Sequence, residues 1–280
     1  MLNIEVAVLH EAHECPAGMM TFLAKLTQRG HTIRSMYDLK QLYSDTLFNH
    51  NAASYIAGLP HGTIKRFTPI TIAIVGASRR FLAQARTHQV GMNYVSASLQ
   101  YSDYSDKGHF VVPYNIISQD ASNGNLNITK AYLHQCNSAM DVYKDIAQQT
   151  DNDTAGYVAP QGLRNILIMQ GNHEAWMHFI RLRGCNRNTD ETQYVTMLIW
   201  EALLNTADSE ELFKYAGPDC IYGKCREGKM CCGKPLEAIA SLAEYHGKPI
   251  PRYIIEQKWP LLAKAHECRA SKPNNPRSKK

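Results

Sequence analysis

Asn172-His173-Glu174-Ala175-Trp176-Met177-His178-Phe179-Ile180-Arg181-Leu182-Arg183 is the stretch on which the fold turns. Asn172 carries a short side-chain oxygen of the kind that caps helix N-termini. Trp176, Phe179, Ile180 and Arg183 then recur at helical spacing, so one face is apolar until the arginine. Just upstream, Pro160 to Gly171 contains a predicted strand, Asn165 to Met169, and a second helix is expected from Glu191 to Ala207. A strand that turns directly into an amphipathic helix needs a sheet on one side of that helix, which points to an α/β or α+β layered body.

Working outward, Leu2 to Leu9 predicts a first strand, and Pro16 to Gln28 a helix that Gly30 stops. Tyr37 to Phe48 repeats the helical pattern through Leu39, Leu42, Tyr43 and Leu47. Phe67 to Val75 alternates at Ile70, Ile72 and Ile74 as a half-buried strand does. Gly76-Ala77-Ser78-Arg79 reads as a strand-to-helix turn, with Ser78 as cap for a helix over Phe81 to Val90. On that reading Gln84 and His88 share one helix face. Asn125 to Gln149 is the longest helical pattern, with a stripe at Ile128, Tyr132, Cys136, Ala139, Tyr143 and Ile146, and is expected to pack across the sheet. The expectation is one α/β (α+β) body, a mixed or antiparallel sheet flanked by helices, over residues 1–234. A cysteine-containing appendage continues as a helical extension over 235–268, patterned by Leu236, Ile239, Leu242 and Ala243, and a disordered basic tail follows over 269–280.

With 280 residues, 44% of them hydrophobic, the chain has material for a substantial core. Its formal charge of +5 suits anionic small molecules such as nucleotides or folates as well as nucleic acid, and charge alone does not choose between them; part of the excess lies in the tail from Ser271 to Lys280. No run approaches the roughly 20 apolar residues that cross a bilayer, and Met1-Leu2-Asn3-Ile4-Glu5 lacks the basic and apolar regions of a signal peptide. A cytoplasmic protein without a membrane partner is expected. The eight cysteines then read as reduced thiols or metal ligands. Cys220, Cys225, Cys231 and Cys232 are dense enough to hold zinc but lack paired Cys-x-x-Cys knuckles, and no metal is assigned.

Two segments together resemble the flavin-dependent thymidylate synthase family, the match running from Gly58 to Lys234. The longer spans Tyr157 to Gly233. It contains the opening stretch continued through Gly184-Cys185-Asn186-Arg187, then Phe213-Lys214-Tyr215-Ala216-Gly217-Pro218-Asp219-Cys220 and Glu227-Gly228-Lys229-Met230. These are similar to the family's asparagine-led helix ending in Leu-x-Arg, and to the Ala-Gly-Pro-x-Cys and Glu-Gly-Lys-Met stretches of its clostridial-type members. The shorter segment runs from Ser78-Arg79 through Gln84 and His88 to Ser98-Leu99-Gln100-Tyr101-Ser102. It resembles the signature Arg-His-Arg, a spacer, Ser, then Arg-Tyr, and His61 resembles a histidine that precedes the signature strand.

The resemblance implies reductive methylation of dUMP at C5 in a homotetramer with shared active sites. Methylenetetrahydrofolate supplies the carbon and NADPH the electrons, by way of FAD, with no cysteine nucleophile. It implies a catalytic, pyrimidine-contacting role for Arg183, flavin contacts for His61, His88, Asn172 and His178, and nucleotide binding by Gln84, Ser98 and Gln100 together with Arg183. The chain also departs from the pattern. Thr87-His88-Gln89 stands for Arg-His-Arg, one residue is inserted before Ser98, and Gln100, Gly156 and Glu174 occupy arginine positions. An alternative register puts Arg86 on the first signature arginine. The replacements at Thr87, Gln89, Gln100, Gly156 and Glu174 all reduce positive charge where the family binds anions, and a carboxylate at 174 would repel a flavin diphosphate. This implies an altered ligand set or a lost activity. Two alternatives stand beside the synthase: a flavoprotein of the same fold modifying another pyrimidine nucleotide, and a non-catalytic nucleotide- or nucleic-acid-binding protein, nucleic acid being the less expected partner.

Overall fold

The computed structural model describes residues 4–11, 15–47, 49–105, 109–185, 187–213, 216–219 and 225–231. Strands β1 (Glu5–Glu11), β2 (Ile70–Ser78), β3 (Met92–Ser96) and β4 (Arg164–Gly171) form a four-stranded sheet in the order β1-β2-β4-β3, with every neighbouring pair antiparallel. Around it run helices α1 (Pro16–Arg29), α2 (Met36–Leu47), α3 (Ala53–Gly58), α4 (Arg79–Ala85), α5 (Tyr114–Ser122), α6 (Asn127–Gln149), α7 (Asn152–Ala155), α8 (His173–Arg183), α9 (Asp190–Leu203) and α10 (Ser209–Leu212).

The alternation expected of a half-buried strand is present in both central strands. Ile70, Ile72 and Ile74 of β2 and Leu167 and Met169 of β4 point into the core, where α8 contributes Trp176, Phe179 and Ile180 and α9 contributes Val195, Leu198 and Ile199. Burial of nearly every residue from Thr192 to Trp200 makes α9 the central helix, in contact with β1, β2, α4 and α8. On the sheet's other face, Leu9, Val75, Val95 and Ile166 remain 60%, 43%, 69% and 48% exposed. Val75 pairs with Ile166, and Ala73 and Val95 both pair with Ile168, so this open face is a contiguous apolar surface.

Three features differ from the reading of the sequence. First, Gly76-Ala77-Ser78 is not a turn. The register slips between Val75 and Ala77, where Gly76 adopts φ 87°, and β2 continues through this bulge to Ser78. Second, α4 stops at Ala85, and His88 lies in the turn that follows, so Gln84 and His88 do not share a helix face. The Thr87 and His88 amides bond to the carbonyls of Gln84 and Ala85, and Tyr94 Oη donates to the His88 carbonyl at 2.6 Å, which fixes the turn. Third, α6 packs mainly on α5, α7 and the 3-10 turn at Gly156–Val158 rather than across the sheet. Its Met140 and Tyr143 build a second, smaller core with Ala155 and Leu163. The proposed helix over 236–268, the basic tail, Cys220 and Cys232 lie outside the described residues.

His173, in the first turn of α8, is buried in the main core, with Nε2 donating to the Leu212 carbonyl at 2.5 Å and Nδ1 without a partner. Burial pushes its pKa from 6.5 down to about 4. The folded state therefore resists a proton that the unfolded chain accepts, so the unfolded state binds more protons below pH 6.5. Stability is fully present above about pH 6.5 and is lost as pH falls toward 4. Thermal melts across that window are expected to show Tm falling with pH, and a His173→Asn variant to show a shallower fall. A Tm that rises on acidification would contradict the assignment.

Candidate active site

Arg183 is one turn beyond Phe179 and Ile180 on the buried stripe of α8, so the helix aims its guanidinium at the turn that follows α4. There Nε donates to His88 Nε2 at 2.7 Å, Nη1 to Asn188 Oδ1 at 3.0 Å, and Nη2 to Thr87 Oγ1 at 2.7 Å and the Gln84 carbonyl at 3.3 Å. Four of the five N–H groups of the fork are thereby held, leaving one on Nη1 for a ligand. Asn188 is itself fixed, because its Nδ2 donates to the carbonyls of Leu182 and Cys185 at the end of α8. The arginine is thus oriented before any ligand arrives, which lowers the entropy lost on binding.

His88 is buried against Phe179, with ring centroids 5.0 Å apart, and lies edge-on to His178 at 5.5 Å. Burial, followed by the positive charges of Arg183 and His178, depresses its pKa to about 4. The imidazole is neutral at physiological pH. Because Nε2 accepts from Arg183, the ring proton sits on Nδ1, and Nδ1 is the only atom of this ring that can donate to a ligand. Arg183, His88 and His178 line a cavity of about 420 Å³ together with Gln89, Cys185 and Glu227.

A second cavity, of about 660 Å³, shares Val90, Ala175 and His178 with the first. Asn172 lies in its wall, where its Oδ1 caps α8 by accepting from the Ala175 amide at 3.0 Å and leaves the side-chain amide to donate elsewhere. Gly91 comes so close, at φ 73°, that a Cβ there would stand 2.8 Å from Asn172 Nδ2. Glu174 also faces this cavity, but Arg66 Nε meets its carboxylate at 2.8 Å. The charge reversal at 174 is therefore answered by a cation from the segment after α3. Lys65, Arg66, Arg181 and Arg226 all line the cavity, but Arg66 is paired with Glu174 and Arg226 with Asp219 at 3.2 Å, which leaves Lys65 and Arg181 as its cations without a carboxylate partner among the described residues.

Of the remaining candidates only Gln84 touches Arg183, through its backbone carbonyl. Ser98 belongs to a third cavity of about 310 Å³. Gln100 is exposed, and its amide donates to Ser98 Oγ at 3.0 Å. Gln84 Oε1 accepts from Thr192 Oγ1 at 2.5 Å and Thr189 Oγ1 at 3.4 Å, so only its amide nitrogen is left to meet a ligand. His61 is exposed between Pro60 and Gly62, which line the 660 Å³ cavity. At Gly156 a Cβ would meet Leu99 Cβ at 3.2 Å, so the space in front of this position is taken by an apolar side chain.

Thr87, Asn188 and Arg66 were not singled out from the sequence as contributors. Thr87 read only as a missing arginine, whereas it binds Arg183. The one sequence signal for Asn188 is its place just past the end of α8, where an asparagine side chain can satisfy helix carbonyls. Arg66 had none, because its partner Glu174 is 108 residues away.

Comparison with known proteins finds that residues 12–207 match the family described as thymidylate synthase complementing protein. A flavin-dependent thymidylate synthase from Clostridium tetani is 28% identical over 178 residues, covering 60% of this chain and 70% of that protein. One from Geobacter sulfurreducens is 26% identical over 184 residues, covering 65% and 75%. Among solved structures, a UMP/dUMP methylase from Streptomyces cacaoi bound with 5-Br dUMP shares the fold, with a TM-score of 0.54 at 14% identity over 78% of this chain and 97% of that one.

Proposed function

The chain belongs to the thymidylate synthase complementing protein family, and on that premise we propose that it is a flavin-dependent thymidylate synthase-like enzyme. The proposed reaction methylates dUMP reductively at C5, with methylenetetrahydrofolate as carbon donor and NADPH as reductant. The observation that carries this reading is the contact of Arg183 with His88, 95 residues apart in sequence, in the wall of one cavity. The homologous enzymes from Clostridium tetani and Geobacter sulfurreducens are named as flavin-dependent thymidylate synthases, which supports the assignment.

FAD, once bound, would supply the hydride that completes the methyl group. The residues present suit it. The two cavities share Val90, Ala175 and His178, and Arg181 and Lys65, which form no ion pair among the described residues, would answer a diphosphate. Asn172 would donate through its free amide and His88 through Nδ1. Arg183 would hold the pyrimidine with the remaining Nη1–H and stabilise negative charge developing on the ring. The neutral imidazole at His88 keeps the arginine in place without adding a second formal charge to the site.

A homotetramer belongs to the same proposal. The open apolar face at Val75, Val95 and Ile166 is the kind of surface that a second subunit covers, and sedimentation analysis should report a tetrameric mass. A cytoplasmic setting is also proposed; among the described residues no helix is long and apolar enough to cross a membrane.

Purified protein is expected to be yellow, to release FAD on denaturation, and to convert dUMP to thymidylate in the presence of NADPH and methylenetetrahydrofolate. Failure of all three would reject the enzyme reading. A second reading, another pyrimidine nucleotide as substrate, is favoured by Leu99 filling the space before Gly156. It predicts a flavin-bound protein that does not rescue a thymidine auxotroph.

A further inference from the structure

The 310 Å³ cavity has a makeup unlike the other two. Arg79, Leu82 and Ala83 of α4, with Arg86 at the C-cap just past its end, make one wall. The facing wall is the segment from Ser96 to Leu99 that leaves β3. Arg79 and Arg86 thus project from one side of α4 into a common space. Arg86 Nη2 donates to Ser96 Oγ at 2.5 Å.

Among the described residues neither guanidinium forms an ion pair with a carboxylate; the ion pairs are Arg66–Glu174 and Arg226–Asp219. Arg79 is half-buried; burial lowers its pKa most, nearby Tyr104 opposes that shift, and the positive charge of Arg86 adds to it. Two like charges brought together in a recess, without a counter-charge from the protein, are unfavourable unless an anion completes them. The other polar groups also suit an anion. Ser96 Oγ accepts from Arg86 and Ser98 Oγ accepts from the Gln100 amide, so each hydroxyl hydrogen remains available to donate. Two guanidinium forks and two hydroxyl donors, with no carboxylate, match the oxygens of a phosphate monoester. At 310 Å³ the space lies at the small end of ligand cavities.

We propose that Arg79 and Arg86 form the receptor for a phosphate monoester in this chain. They supply from the neighbouring helix the charge that Thr87, Gln89 and Gln100 do not carry. The inference rests on the nucleotide-substrate reading only for the identity of the ligand, because the anion site itself follows from the two arginines. Thr87, next to Arg86, bonds Arg183, so the phosphate cavity and the Arg183 cavity flank the same turn.

Titration calorimetry of the full-length protein with three probes, dUMP, deoxyuridine and methyl phosphate, tests the proposal. Arg86 is exposed, so Arg86→Gln should fold normally, as a melting curve will verify; Arg79→Gln is the second variant. Arg86→Gln is expected to weaken dUMP binding roughly tenfold and the double variant more, because charge-assisted bonds become neutral ones or vanish. Deoxyuridine binding should not change, and methyl phosphate should bind the native protein but not the double variant. Equal dUMP affinity in native and variant proteins would overturn the phosphate site while leaving the nucleotide reading in place. Methyl phosphate binding that both arginines control, without any dUMP binding, would keep the site and reject the nucleotide reading. A native protein that binds neither phosphate probe overturns both.

Discussion

Replacing Arg183 with alanine is expected to cut the proposed dUMP methylation about 10²- to 10³-fold, the usual cost of losing one preorganised donor to developing charge. The fold should survive, because the side chain is only partly buried and its partners are polar groups at the edge of a cavity. Lysine should recover little of the loss. An ammonium can keep the charge, but it cannot reach His88, Asn188 and Thr87 together from the positions that the planar fork occupies. A readout independent of turnover is available at His88. Arg183 contributes to the depression of its pKa, after burial, so the alanine variant should shift the His88 titration upward from about 4 in an NMR experiment. Activity within threefold of the native protein, together with an unmoved His88, would remove Arg183 from the machinery.

The largest stability effect is expected at Trp176. Its side chain is fully buried, its Nε1 donates to the Ile70 carbonyl at 3.2 Å, and its ring meets Phe179 edge-on with centroids 6.1 Å apart. Trp176→Ala should cost about 3–5 kcal/mol in urea unfolding, combining lost burial with a cavity that a packed core only partly closes. Against a total stability of about 5–15 kcal/mol, that is enough to leave a measurable fraction unfolded near physiological temperature. Trp176→Phe should cost less, because it keeps most of the ring volume and loses chiefly the bond to Ile70. A loss below about 1 kcal/mol for the alanine variant would mean that the core beneath α8 is loosely packed. The two predictions are linked, since α8 carries both residues.

The elements that the sequence announced are those fixed by local chemistry. Asn172 and Ser78 do cap their helices, accepting from the amides of Ala175 and Phe81. The isoleucine alternation of β2 and the Trp176, Phe179, Ile180 stripe of α8 both face the core, because a period of two or 3.6 residues survives whatever the chain packs against. The family membership followed from the motifs, whereas the sequence left the sheet mixed or antiparallel and the structure makes every pair antiparallel. The end of α4 was not legible. The residues from Arg86 to His88 keep helix-compatible side chains, and what stops the helix is a set of distant partners, Tyr94 and Arg183, that hold the turn.

By itself, then, the sequence determined strands β1, β2 and β4 and the longer helices α1, α2, α6, α8 and α9, the inward-facing residues of β2 and α8, and the candidacy of Arg183 and His88; β3, α3 and α5 carried no pattern that announced them. Only the tertiary structure decided that His88 is neutral and accepts from Arg183, that Arg66 neutralises Glu174, and that Arg79 and Arg86 share a recess with no carboxylate among the described residues that line it. Periodicity and capping are set within a few residues of chain. Charge balance and proton placement are set by whatever groups lie within a few ångströms, and in this protein those groups come from segments 95 or 108 residues away in sequence.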